Sequence, residues 1–204
     1  VAAEQATRAP RILCVAGSPR RHGNSERLLD ACIEGVQETG ADADKIAVAA
    51  MDIGGCDSCD ECVSTGVCVI FDDMTDLYPK LEDADAIVIA SPVYFASVPS
   101  QLKAFYDRCQ PYWARLHALA AEPRSPRRPG AFLVVRGGGD PHGFECAVTP
   151  TRSLFAVLGV EYSHELRVEG PDAPRDIDER PDALAEARSI GARLAHEARE
   201  RTGL

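Results

Sequence analysis

The chain lacks the features that mark membrane and nucleic-acid proteins. No apolar run approaches the roughly 18 residues needed to cross a bilayer, and the opening VAAEQATRAP has neither a charged start nor a long apolar core. Positive charge is in deficit: 22 Lys and Arg against 32 Asp and Glu leave a formal net charge of −10, which on balance repels a phosphate backbone. The expectation is a cytoplasmic, soluble protein with neither nucleic acid nor membrane as partner. Internal repeats and low-complexity linkers are missing as well. So are the dinucleotide pattern G-x-G-x-x-G and the nucleoside-triphosphate loop G-x-x-x-x-G-K-[ST].

What remains has ordinary globular proportions, 45% hydrophobic and 26% charged over 204 residues, enough for one domain. Residues 1–10 read as a flexible tail and 11–204 as the folded unit. Short apolar runs at 12–16 (ILCVA), 86–90 (AIVIA) and 131–135 (AFLVV) suit strands covered on both faces, with weaker strands at 45–49 and 161–166. Helical patterns lie between them. Asn24 is expected to cap the first, whose face is Leu28, Leu29, Cys32, Ile33 and Val36 up to Gly40. Others are expected at 74–82, 100–108 and 144–158, and a last one opens at Pro181 with Leu184, Ala187, Ile190, Leu194 and Ala198 inward. Five alternations of strand and helix predict a doubly wound α/β domain, a five-stranded parallel sheet with helices on both faces. Its ligands should bind beyond the carboxyl ends of the strands.

The first such end carries Gly17-Ser-Pro-Arg-Arg-His-Gly23-Asn24-Ser25. Free N–H groups at a helix start attract an anion, and Ser18, Asn24 and Ser25 can donate hydrogen bonds while Arg20 supplies charge. A terminal phosphate is the expected ligand. Cys14 and Arg20 also have the C-x5-R spacing of tyrosine phosphatases, with Asp140-Pro141 as a remote match to their general acid. Against that reading, Cys14 lies inside the apolar run and Pro19 removes an N–H from the cradle.

Of eight cysteines, four crowd together as Cys56-x2-Cys59-x2-Cys62-x5-Cys68 in a loop, 54–69, that begins with Gly54 and Gly55. Successive x2 spacings suit ligation of a [4Fe–4S] cluster, whereas structural zinc usually takes two separated C-x2-C pairs. Zinc, or thiols without metal, are the alternatives. Asp57, Asp60 and Glu61 between the cysteines add negative charge that would lower a cluster's potential.

The third strand ends in Ser91-Pro-Val-Tyr-Phe-Ala-Ser-Val-Pro-Ser100 and continues to Arg108. Together with GSPRRHGNS and the cysteines, this stretch resembles the iron-sulfur flavoproteins, a branch of the NADPH-dependent FMN reductase superfamily with a flavodoxin-like fold. The resemblance runs from Arg11 to Arg108 and more loosely over 130–139. It implies that Ser18, Arg20, Asn24 and Ser25 hold the FMN phosphate. It also implies that Pro92, Val93, Tyr94, Phe95 and Ser97 line the isoalloxazine, and that Gly137 and Gly138 approach its pyrimidine edge. No side chain is needed as a catalytic acid or base, since the cofactors carry the chemistry.

The expected function is an FMN-dependent oxidoreductase passing electrons between a [4Fe–4S] cluster on Cys56, Cys59, Cys62 and Cys68 and the flavin, to a small-molecule acceptor. NAD(P)H or ferredoxin is the donor, and the resemblance implies a homodimer or homotetramer. A cluster-free NAD(P)H-dependent FMN or quinone reductase, and a redox carrier or sensor, are the competing readings. Arg124, Arg127 and Arg128 form a basic loop with solvated surface as its expected role, and Tyr112 and Trp113 are expected to pack or to cap a flavin or interface.

Overall fold

The structure, a computed structural model, describes residues 8–139 and 141–203. Asp140, the remote general-acid match, and residues 1–7 of the expected tail lie outside the described residues. Arg8, next in that tail, makes a two-pronged ion pair with the buried Asp85, at 2.6 and 2.9 Å.

Strands β1 (Arg11–Ala16), β2 (Asp42–Ala47), β3 (Ala86–Pro92), β4 (Arg128–Arg136) and β5 (Val160–Glu169) form one all-parallel sheet in the order β2-β1-β3-β4-β5. This is the doubly wound α/β sheet expected. The continuous apolar runs of β1, β3 and β4 belong to the three inner strands, whose two faces are both covered. β2 starts at Asp42, three residues before the expected Lys45, and ends in a 3₁₀ turn at Val48–Ala50. It is an edge strand, so polar Asp42, Asp44 and Lys45 face outward and mask the pattern.

Helices α1 (Asn24–Glu38) and α7 (Pro181–Thr202) cover one face, packing on Ile12, Cys14, Ala16, Val88 and Leu133. Helices α3 (Met74–Asp83), α4 (Ser100–Asp107), α5 (Gln110–His117) and α6 (Glu145–Val157) cover the other through Leu13, Val15, Ile87, Phe132 and Val134. α5, and a five-residue helix α2 (Glu61–Thr65) inside the cysteine loop, were not expected from the sequence. α1 and α7 cross so closely that a Cβ on Gly35 would lie 1.9 Å from the Arg188 carbonyl oxygen, and one on Gly191 1.9 Å from that of Cys32. Only glycine fits there.

The chain leaves β1 outward to β2 and then returns to β3 on the other side of β1. That reversal opens a crevice beyond the carboxyl ends of β1, β3 and β4, the expected ligand position.

Candidate functional site: a flavin cleft and a cysteine cavity

The crevice holds a small cavity of about 70 Å³. Ser18, Arg20, Asn24, Ser25, Pro92, Val93, Tyr94 and Gly137 line it, so three loops distant in sequence meet where the spacing placed a phosphate and a flat ring. Gly23, not Asn24, is the N-cap of α1, and no side chain caps the helix, which leaves its first-turn N–H groups open to an anion. Asn24 is turned aside: its Nδ2 donates to Ala173 O at 3.0 Å and its Oδ1 accepts from Ile177 N–H at 3.2 Å. Arg20 Nη1 donates to Asp172 O at 2.9 Å. The segment after β5, with Pro171 and Asp172 in the cavity wall, is therefore part of the site, a residue set sequence reasoning missed. Its position past the end of a strand was the available signal.

Phe95, Ser97 and Gly138 fall outside that lining. Tyr94 and Ser97 exchange backbone hydrogen bonds at 2.8 and 3.0 Å across a tight turn, with Phe95 and Ala96 at φ +48° and +61°. Positive φ costs a non-glycine residue about 1–2 kcal/mol, and the turn presents the Phe95 ring wholly to solvent at 104% exposure. Tyr112 and Trp113 lie on α5, away from the cleft: Tyr112 is buried and donates to Tyr78 O at 3.2 Å, and Trp113 stacks on His117.

Beneath the phosphate loop, buried Glu26 accepts from the His22 N–H and pairs with Lys45 at 2.8 Å and Arg21 at 3.3 Å. Burial works against its charge, but Lys45, His22 and Arg21 outweigh it and hold the carboxyl below its ordinary range. The acid is thereby neutralised close to the expected phosphate position.

The phosphatase reading fails on Cys14. Its thiol is wholly buried in β1, paired on both sides, and burial drives its pKa well above the ordinary range, so no thiolate nucleophile is available. Arg128 also departs from the expected solvated surface. It is buried at the start of β4 and donates to the carbonyls of Leu81, Ala84 and Leu158 at the ends of α3 and α6, where a cation offsets the helix dipoles.

Cys56, Cys59, Cys62 and Cys68 all line a second cavity, of about 330 Å³. Ser58, Asp60 and Gly66 at φ +57°, +61° and +72° curl the backbone around it. Cys62, on α2, is buried, while Cys56 and Cys59 are exposed and Cys68 is partly so. Burial first, then the Cys56, Cys68 and Cys59 thiols, push the Cys62 pKa up, which is the effect of sulfurs facing one space. Among the described residues, no three His, Cys, Asp or Glu side chains converge on a single point as ligands of one metal ion. Arg115 Nε donates to Gly66 O at 2.7 Å and anchors the loop to α5. Arg108 also lines the cavity, with the Cys68 side chain within reach of its guanidinium. Among the described residues the two cavities share no lining residue, and the cysteine cavity includes Asp107 at the end of α4 and Arg108 after it.

The family model for NADPH-dependent FMN reductase matches residues 10–163, from the start of β1 into β5. The chain belongs to the NADPH-dependent FMN reductase family. Within it, the chain falls in the iron-sulfur flavoprotein branch: an iron-sulfur flavoprotein of Archaeoglobus fulgidus is 30% identical over 89% of this chain and 77% of that protein. One of Methanosarcina thermophila is 38% identical over 48% of this chain, and the match spans 51% of that relative's length. Among solved structures, an NAD(P)H:quinone oxidoreductase from Methanothermobacter marburgensis superposes with a TM-score of 0.67 at 20% identity, covering 92% of this chain and 98% of that one. A flavodoxin from the domain Archaea gives 0.55 at 14% identity over 93% and 99%. A flavone reductase gives 0.66 at 18% identity, and the match spans 63% of that chain. The fold of this FMN reductase family member is flavodoxin-like, and the protein is a flavin-dependent oxidoreductase.

Proposed function

We propose that this flavoprotein passes electrons between a [4Fe–4S] cluster held by Cys56, Cys59, Cys62 and Cys68 and FMN bound in the crevice, to a small-molecule acceptor. The observation that carries the reading is the gathering of all four cysteines around one cavity whose wall contains the buried Arg108 guanidinium. A buried guanidinium beside the cysteines can donate to thiolate or cluster sulfide. Convergence on one point is not required. Zinc draws four sulfurs to about 2.3 Å from one ion, whereas a cubane takes each thiolate on a different iron.

When bound, the two groups supply one-electron and one- or two-electron chemistry. The chain's own part is to orient and enclose. The open first turn of α1 and Arg20 would hold the phosphate, Val93 and Tyr94 would cover the ring, and Gly137 would let the backbone approach its edge. Asn24 acts through the Pro171–Ala173 segment, which it ties to α1. Phe95 and the exposed Val67, Val69 and Phe71 beside the cysteine loop support a homodimer or homotetramer in which these apolar groups are covered. Because the two cavities have separate linings among the described residues, such an assembly would let a cluster meet a neighbouring subunit's flavin.

A second reading is a cluster-free NAD(P)H-dependent reductase of flavin or quinone, to which the similarity in fold to an NAD(P)H:quinone oxidoreductase lends support. Anaerobic stopped-flow mixing separates the two. Reduced ferredoxin should bleach the flavin only when the iron centre is present, while a cluster-free reductase is bleached by NADPH irrespective of iron. Equal flavin reduction by ferredoxin in iron-loaded and iron-stripped protein would remove the proposed route.

A further inference from the structure

Arg108 follows α4 with its guanidinium side chain at 0% exposure beside Asp72 at 10%. A buried cation is costly unless its N–H groups find acceptors. Nη1 donates to Gly54 O at 3.1 Å and to Asp72 Oδ2; Nη2 donates to Ile70 O at 3.0 Å and to Asp72 Oδ1 at 3.1 Å. Gly54 precedes Cys56 by two residues and Ile70 follows Cys68 by two, so one side chain ties together both ends of the cysteine loop. Asp72 completes the closure by accepting from the Gly54 N–H at 3.0 Å and the Met74 N–H at 3.0 Å. Tyr78 donates to the Arg108 carbonyl at 2.7 Å, fixing the backbone from α3.

The fifth donor, Nε–H, makes no well-aligned hydrogen bond among the described residues, and the Cys68 side chain lies within reach of the guanidinium. Arg108 is also the one Lys, Arg or His among the described residues that line the cysteine cavity, where it faces a wall containing Asp57, Asp60 and Asp107. Four donors thus hold the loop's ends and Asp72, which balances the charge, and the guanidinium keeps Cys68 within its reach.

We propose that Arg108 is a positioning residue for the iron-sulfur centre. Its guanidinium closes the cysteine loop before iron arrives and, once the centre is built, raises the potential of its one-electron couple. The proposal rests on the reading of the cysteine cavity as a [4Fe–4S] site. Adding an electron to an anionic centre is eased by nearby positive charge, and a buried guanidinium is poorly screened by solvent. Asp72 carries the opposite charge in the same pair. Removing one partner or the other therefore moves the potential in opposite directions, whereas a pair with a purely structural role would move it the same way in both cases.

The test is an EPR-monitored redox titration of anaerobically isolated wild type, Arg108→Gln, Arg108→Lys and Asp72→Asn. Relative to wild type, Arg108→Gln should lower the midpoint by at least a tenfold change in equilibrium constant, about 59 mV for one electron. Asp72→Asn should raise it, and Arg108→Lys, which keeps the charge, should stay near wild type. Closure is read separately on chelator-stripped protein by cleavage at Asp57 and Asp60 with an aspartate-directed endoproteinase. Arg108→Gln should be cut at least tenfold faster than wild type, with retained FMN as the check on folding. If Arg108→Gln does not fold, Arg108→Lys should still be cut faster than wild type because it loses the two-pronged fork, and Asp72→Asn should still raise the midpoint. Midpoints that shift alike in the Gln and Asn variants, or cleavage unchanged from wild type, would overturn the proposal. Wild type isolated without iron or labile sulfide would overturn the cluster reading and the claim on potential, while the cleavage rates would still decide closure.

Discussion

Arg20, in the loop after β1, and Glu26, six residues on in the first turn of α1, play opposite electrostatic parts. Arg20 lines the crevice and uses Nη1 on Asp172 O. A charged hydrogen bond to phosphate contributes about 1.5–3 kcal/mol, so Arg20→Ala should weaken FMN binding by that amount in a fluorescence titration. Unchanged affinity would remove Arg20 from the site. Glu26 is stabilised in its charged form, with a folded pKa below the ordinary 4.5. A depressed carboxyl contributes stability that is present above its unfolded value and lost as pH falls through the folded one. The stability lost in Glu26→Gln relative to wild type should accordingly be constant near neutrality and shrink on acidification below about pH 4.5, read by denaturant titration at several pH values. A difference that grows in acid would contradict the assignment. At this scale residue types were legible and their partners were not. Asn24 was recognisable as a helix-start residue, but its bonds to Ala173 and Ile177 join positions about 150 apart, which no local spacing encodes.

Among the elements, the inner strands were the most legible, because burial on both faces writes an unbroken apolar run into the sequence. β2 was displaced by its edge position, and α5 was missed because its amphipathic stretch begins three residues after α4 ends, with Pro111 in its first turn. The α1–α7 crossing was invisible in the apolar stripe, since it depends on absent side chains. Gly191→Ala should destabilise the protein by about 1–3 kcal/mol, the usual cost of overpacking, seen as a lower midpoint in urea with an unchanged slope. Gly40→Ala serves as a contrast in a position with open space: its cost would come from its φ of +77° alone, not from a clash. Equal stability of wild type and Gly191→Ala would mean that the helices separate at little cost.

At the scale of the whole molecule, the sheet divides the work. Loops beyond the carboxyl ends of β1, β3, β4 and β5 line the crevice, and the long connection after β2, with Asp107, Arg108 and Pro111, lines the cysteine cavity. Because they share no lining residue among the described residues, damage to one should spare the other. The most direct test of the account is the iron, labile sulfide and FMN content of wild type and Cys59→Ser, both purified without oxygen. The account predicts about four iron and four sulfide per chain with bound FMN in wild type, and FMN retained with the iron lost in Cys59→Ser. Wild type that binds FMN but carries no iron or sulfide, or a Cys59→Ser variant that keeps its full iron content, would contradict it.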